Sequence, residues 1–219
     1  MRSQFDRRVL SDDAISFIRQ VQHLAPCHLG GGAALSGAWL SHRLSRDIDL
    51  FFKERVHLRE LLPELTEVGK AAGCAVVLVR DGGAHVRATV RFETAELALD
   101  LVHDPLIDVG SETPEIEGIR LLPYSDLRAS KLTCLLSRAE PRDLVDALFL
   151  ERDGFPPEQD FGGALRKDAG MDPSTLAWLI REIPTAPMPI MLEPLSEEQL
   201  VTYRDALASR FKQIALGAI

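Results

Sequence analysis

The chain has 219 residues, 46% hydrophobic and 26% charged, with a formal net charge of −8. That balance suits a folded chain with a sizeable core and excludes a disordered one. It also excludes a protein that wraps duplex DNA through its overall field, so any nucleic-acid or nucleotide contact has to be local.

The N-terminus, MRSQFDRRVLSDD, has charge but no apolar stretch, so no signal peptide is expected. No run is long enough to span a membrane. Ser11 opens SDDAISFIRQVQHLA, with two acids in the first turn and Ile15, Ile18 and Val21 at helical spacing. This predicts an N-capped amphipathic helix that Pro26 ends. Cys27-His28-Leu29 predicts a short strand entering the glycine triplet Gly30-Gly31-Gly32. Helical character resumes at Ala33 and runs to His42. DIDLFF, from Asp47, alternates and then turns wholly apolar, as a strand of a buried sheet does.

A helix is predicted over residues 56–73, started or kinked at Pro63. Three strands follow, Ala75 to Arg80, His85 to Glu93 and Leu97 to Val102, the first two joined by an Asp-Gly turn. After about Pro105 the character becomes helical. Ser125 caps one predicted helix, and Pro141 sits in the first turn of the next. Asp172-Pro173 opens another, and Ser196 with Gln199 forms a capping box for the last, which runs to about Leu216. The expected layout is an α+β core over 1–110, a mixed sheet flanked by helices, and a mainly helical region over 111–219. The cysteines, Cys27, Cys74 and Cys134, form no C-x-x-C pair and lie in apolar runs. Reduced, buried thiols of a cytoplasmic protein are expected.

Asp47 and Asp49 are two apart in a predicted strand, so both project from one face while Ile48 turns inward. Close carboxylates repel unless a positive charge lies between them, and hard oxygen ligands suit Mg²⁺ or Mn²⁺. Asp100 lies within the apolar run LALDLV, where an acid needs a partner. That partner is either an arginine or a shared metal. Three carboxylates on adjacent strands hold two Mg²⁺ about 3.5–4 Å apart in phosphoryl-transfer sites. A glycine turn between a strand and a helix lets backbone N–H groups approach phosphate. The glycines match neither G-x-G-x-x-G nor the G-K-[ST] of a P-loop.

Gly31-Gly32, then Asp47-Ile48-Asp49 on the next strand, resembles the signature of the nucleotidyltransferase superfamily. The fuller text, Gly31, Gly32, Leu35, His42, Arg43, Ser45, Asp47, Asp49 and Phe51, is similar to AbiEii-type toxin nucleotidyltransferases. So are Lys131-Leu132 with Arg138, and Arg142-Asp143 with Asp146. One position departs, since Ala33 stands where the family usually carries Ser or Thr; Ser36 is the candidate substitute.

The resemblance implies a polymerase-β-like nucleotidyltransferase fold and transfer of a nucleoside monophosphate from an NTP to an acceptor hydroxyl. It implies Asp47, Asp49 and Asp100 as metal ligands and, with Lys131 and Asp143, as the catalytic set. Gly31, Gly32, Ser36, Arg43, Lys131 and Arg142 are implied as nucleotide-binding. Asp143 is expected to orient Lys131 or the acceptor, or to act as a base; Asp146 is expected to cap or to pair with Arg142. Arg43 and His42 are expected either to contact phosphate or to stabilise the turn. Lys131→Ala is expected to abolish transfer without unfolding the chain. The acceptor stays open among a tRNA 3′ end, a protein side chain and a small molecule, and a cognate antitoxin is the implied partner. Two other readings stay open: a nucleotide- or partner-binding module with little catalysis, and an antibiotic-type small-molecule nucleotidyltransferase.

Overall fold

The computed structural model describes residues 2–54, 57–107 and 113–217. The chain divides into two compact units, 1–123 and 124–219. The first unit begins with α1 (Asp12–Leu24), capped by the Ser11 hydroxyl, which accepts from the Ala14 N–H. Its acids sit at the positive end of the helix dipole, and Ile15, Phe17, Ile18 and Val21 form its buried stripe. After β1 (His28–Leu29) comes α2 (Gly31–Ala34), which continues as a π-helical turn over Leu35–Leu40. The helix therefore starts inside the glycine triplet, two residues before the expected Ala33. Ser41 closes the turn in the left-handed conformation, its N–H donating to the Ser36 carbonyl at 2.8 Å.

The remaining strands are β2 (Asp47–Phe52), β3 (Ala75–Asp81), β4 (His85–Arg91), β5 (Glu96–His103), β6 (Glu115–Ile116) and β7 (Ile119–Arg120). The helix before β3, α3 (Leu62–Ala71), follows one 3₁₀ turn over Leu58–Leu61, and Pro63 sits in its first turn. The main sheet runs β1-β2-β5-β4-β3, with β2 and β5 parallel and the other neighbours antiparallel. One face is core: Ile48, Leu50 and Phe52 of β2, Val86, Ala88 and Val90 of β4, and Leu99 and Leu101 of β5 are all fully buried. The alternation that sends these residues inward sends Asp47, Asp49, Asp100, His85 and Arg87 to the opposite face.

The β6–β7 hairpin explains why the first unit ends at Pro123 rather than near 110. Its two-residue turn has Glu117 at φ 51° and Gly118 at φ 77°, the primed geometry that suits strand twist. Beyond it, Leu121 bridges to Leu29 in parallel, and the Leu122 N–H donates to the Leu29 carbonyl at 2.9 Å. These bonds stitch residues 115–122 to the sheet.

The second unit is helical: α4 (Tyr124–Ser137), α5 (Pro141–Arg152), α6 (Phe161–Lys167), α7 (Pro173–Glu182) and α8 (Glu197–Ala215). Ser125, expected as a cap, lies within the first turn of α4 because the helix starts at Tyr124. The other two caps stand as expected. Asp172 accepts from the Thr175 N–H, and Ser196 with Gln199 closes a reciprocal box. No described helix is long and apolar enough to cross a membrane.

Candidate active site

In the first unit, Asp47 and Asp49 share one face of β2, and Asp49 is the register partner of Asp100 on β5. The sheet thus gathers the three expected carboxylates onto one surface. Asp100, 8% exposed, has basic side chains beside it, the first of the two kinds of partner weighed from its sequence position. It accepts a 2.6 Å hydrogen bond from His85 Nε2, and the Arg87 guanidinium lies 3.7 Å from it and 3.8 Å from Asp47. In the sequence His85 reads as an exposed position of an alternating strand, and Arg87 as one of five scattered arginines, with Arg43, Arg46, Arg80 and Arg91, that are either local nucleotide contacts or solvated surface. The register Arg87↔Asp100 is what brings them to the acids.

The glycines meet the same carboxylates. The Gly30 N–H donates to the Asp49 carbonyl at 2.9 Å. Gly31 has φ +60°, and a Cβ built on it would lie 1.7 Å from Asp49 Oδ2. Only glycine meets both demands: a left-handed backbone, and a carboxylate lying flat against the Cα. A Cβ on Gly32 would lie 2.8 Å from Ser45 Oγ and 2.9 Å from the Arg43 guanidinium. The phosphate-loop candidates and the acidic strand are therefore one constellation.

Ser36 does not take the place of the missing hydroxyl. It is fully buried, and its Oγ donates to the Arg43 carbonyl and accepts from the Arg43 N–H. Ala33 is equally buried, at 1% exposure. A hydroxyl that does lie against the glycine turn is that of Ser45, beside Gly32. Arg43, 3% exposed, lies across Gly32 and donates to the Leu44 carbonyl at 2.9 Å, which supports the turn-stabilising alternative. His42 is buried beside Ser36, Nδ1 to Oγ 3.4 Å.

The second unit holds Lys131, Asp143, Asp146 and Arg142. Lys131 Nζ is 2.7 Å from Asp146 Oδ2, with both side chains buried. Asp143, fully buried, pairs instead with Arg138, Nε to Oδ2 3.1 Å, and accepts from the Glu140 N–H as half of a capping box that starts α5. Lys131 therefore has Asp146 as its carboxylate partner, while Asp143 builds the helix start. The cause is position. Asp143 is the third residue of α5, where a carboxylate reaches back to the N-cap, whereas Asp146 is one turn further in. Arg142 pairs with Glu140 at 2.6 Å.

Carboxylate oxygens projecting from one sheet face are the hard donor set a divalent ion takes, so Asp47, Asp49 and Asp100 fit Mg²⁺ or Mn²⁺ chemically. Among the described residues, however, no three His, Cys, Asp or Glu side chains converge on one ion position. Arg87 supplies the positive charge on that face.

A sequence model of the family described as Nucleotidyl transferase AbiEii toxin, Type IV TA system, matches residues 16–217. No curated protein matches. Among solved structures, a candidate nucleotidyltransferase from Helicobacter pylori superposes with a TM-score of 0.55 at 19% identity, over 96% of this chain and 99% of that one. JHP933 from Helicobacter pylori does so with 0.54 at 19% identity, over 95% of each. MenT4, a nucleotidyltransferase toxin from Mycobacterium tuberculosis H37Rv, is more distant, with 0.49 at 15% identity over 92% and 85%. At such identities the Helicobacter likenesses are likenesses of fold, and the fold is the expected one.

Proposed function

Because the chain belongs to the AbiEii family of type IV toxin–antitoxin nucleotidyltransferases, we propose that the carboxylate face of its sheet is where it transfers a nucleoside monophosphate from an NTP to an acceptor hydroxyl, with release of pyrophosphate. The observation that carries this is the stacking of the Asp49 carboxylate against Gly31 in register with Asp100. An NTP substrate and a cognate antitoxin follow from the family. A tRNA 3′ end is the proposed acceptor.

Asp47 and Asp49 would hold Mg²⁺ or Mn²⁺, with Asp100 as the third ligand. Such an ion neutralises triphosphate charge and makes an acceptor hydroxyl easier to deprotonate. The chain's own groups do the rest. The Gly31 and Gly32 amides face phosphate oxygens, because no side chain blocks the backbone there. Arg43 and Ser36 keep the turn rigid from behind, so little reorganisation is needed when charge develops. His85 fixes the Asp100 carboxylate through its hydrogen bond. Lys131 is proposed to counter phosphate charge, held in one orientation by Asp146, and Arg142 to contact the nucleotide. Asp143 serves chiefly through the start of α5.

The test is incubation of the purified protein with each labelled NTP, total RNA and Mg²⁺. Label incorporated into RNA by the wild type, and lost by at least about 10²-fold in Asp49→Asn with the fold retained, is the expected result. Undiminished incorporation by Asp49→Asn overturns the assignment of the site. Label appearing only on protein or on small molecules overturns the tRNA acceptor.

A further inference from the structure

Across four strands the carboxylate face reads Asp49, Asp100, Arg87 and Arg80, each the register partner of the next. The row passes from two acids to two bases. The Arg87 guanidinium approaches Asp47 to 3.8 Å and Asp100 to 3.7 Å, both beyond hydrogen-bond length, and its side chain is 46% exposed. Charge holds it there, not the bidentate fork that would lock an arginine onto a carboxylate. Arg80, directly opposite on β3, is a like charge that disfavours retreat away from the acids. The β4–β5 ladder runs from His85 to Arg91 on backbone bonds and on the apolar pairs Val86↔Leu101 and Ala88↔Leu99, so the strands do not depend on Arg87 to stay together.

We infer that Arg87 is an exchangeable counter-ion that serves the acids in the empty site and the triphosphate in the occupied one. The inference rests on the nucleotidyltransferase reading of this face. A guanidinium and a divalent ion compete for the same oxygens of Asp47 and Asp100. An incoming triphosphate supplies new anionic oxygens to which the planar fork is well matched. Once the ion displaces Arg87 from the carboxylates, the side chain lies at the edge of the same site, free to bind phosphate. Ion and nucleotide then favour each other: the ion releases the arginine, and the nucleotide receives it. The bare ion alone binds against competition. Arg87 is thereby a triphosphate-binding residue and a guard against loading with metal alone.

The test uses the full chain as wild type, Arg87→Gln and Arg87→Lys, with circular dichroism to confirm equal folding. Mn²⁺ alone is titrated by electron paramagnetic resonance, and each of the four common NTPs is titrated calorimetrically with Mg²⁺ present. Arg87→Gln is expected to bind Mn²⁺ alone about tenfold tighter and the preferred NTP about tenfold weaker. Arg87→Lys is expected to fall between the two in both measurements. Loss of a mere strand brace would not move the two affinities in opposite directions. If both shift the same way, or neither shifts while the wild type binds, the Arg87 assignment is overturned and the site reading stands. A wild type that binds neither Mn²⁺ nor any NTP overturns the site reading itself.

Discussion

Lys131 and Asp146 face each other at 2.7 Å inside the second unit, the lysine side chain 7% exposed and the aspartate 0%. A buried pair is weak support for stability as a whole but costly to break from one side. Lys131→Met is therefore expected to destabilise the protein by about 3–5 kcal/mol, measured by urea denaturation. The same denaturation curves test the expectation that Lys131→Ala leaves the chain folded. A double change, Lys131→Met with Asp146→Leu, is expected to recover most of that loss. Restored stability without restored transfer would identify Lys131 as a working group; restored transfer would show it to be structural.

Gly31→Ala puts a methyl into the space of the Asp49 carboxylate and holds a left-handed backbone with a Cβ. The backbone alone costs about 1–2 kcal/mol. Adding Asp49→Gly, which removes the Cβ that lies 2.9 Å away as well as the carboxylate, is expected to relieve the collision and raise the melting temperature of the single variant, while NTP-dependent transfer stays absent in both. Calorimetry and the labelling assay separate the two effects.

Glu117 predicts an acid limb of stability. Its carboxylate accepts 2.9 and 2.7 Å hydrogen bonds from Arg7 and one of 2.9 Å from the Phe5 N–H, tying the N-terminal segment to the β6–β7 turn. The Arg7 bond foremost lowers its pKa from 4.5 to about 2, against the opposing effect of burial. A lowered carboxylate stabilises the fold above its unfolded pKa, and that contribution drains away as pH falls from about 4.5 to about 2. Glu117→Gln should be less stable than wild type at neutral pH, with the gap closing over that window in pH-dependent urea titrations.

Cys27 is fully buried, and burial pushes its thiol up to about 12. It is expected to stay silent toward a thiol-specific reagent at pH about 8 until the chain unfolds, because the thiolate is the reactive form. Early labelling at Cys27 in the native protein would contradict the packing of this region.

Local physics was legible in the sequence and pairing was not. Ser11, Asp172 and Ser196 announce their helices because a cap is a contact across three residues. DIDLFF announces its strand because alternation needs no partner. The spacing of Asp47 and Asp49 fixes their common face for the same reason. Which strand lies beside them depends on residues about fifty positions away, so the parallel match of Asp49 to Asp100 had to be supplied by resemblance. His85 and Arg87 are brought to the acids only by the pairing of β4 with β5. Asp143 and Asp146 lie on one helix and differ only by a turn. Their partners follow from where α5 begins, and Glu140, not a usual cap, marks that place.

The parallel pairing of β2 with β5 has a consequence in time. Antiparallel neighbours such as β3 and β4 close over a short turn and can zip early, whereas β2 must wait for β5 across more than forty intervening residues. A chain that has emerged only as far as β4 carries Asp47 and Asp49 but lacks the strand that bears Asp100. The face that gathers Asp47, Asp49 and Asp100 therefore forms only once β5 has been made and has paired with β2.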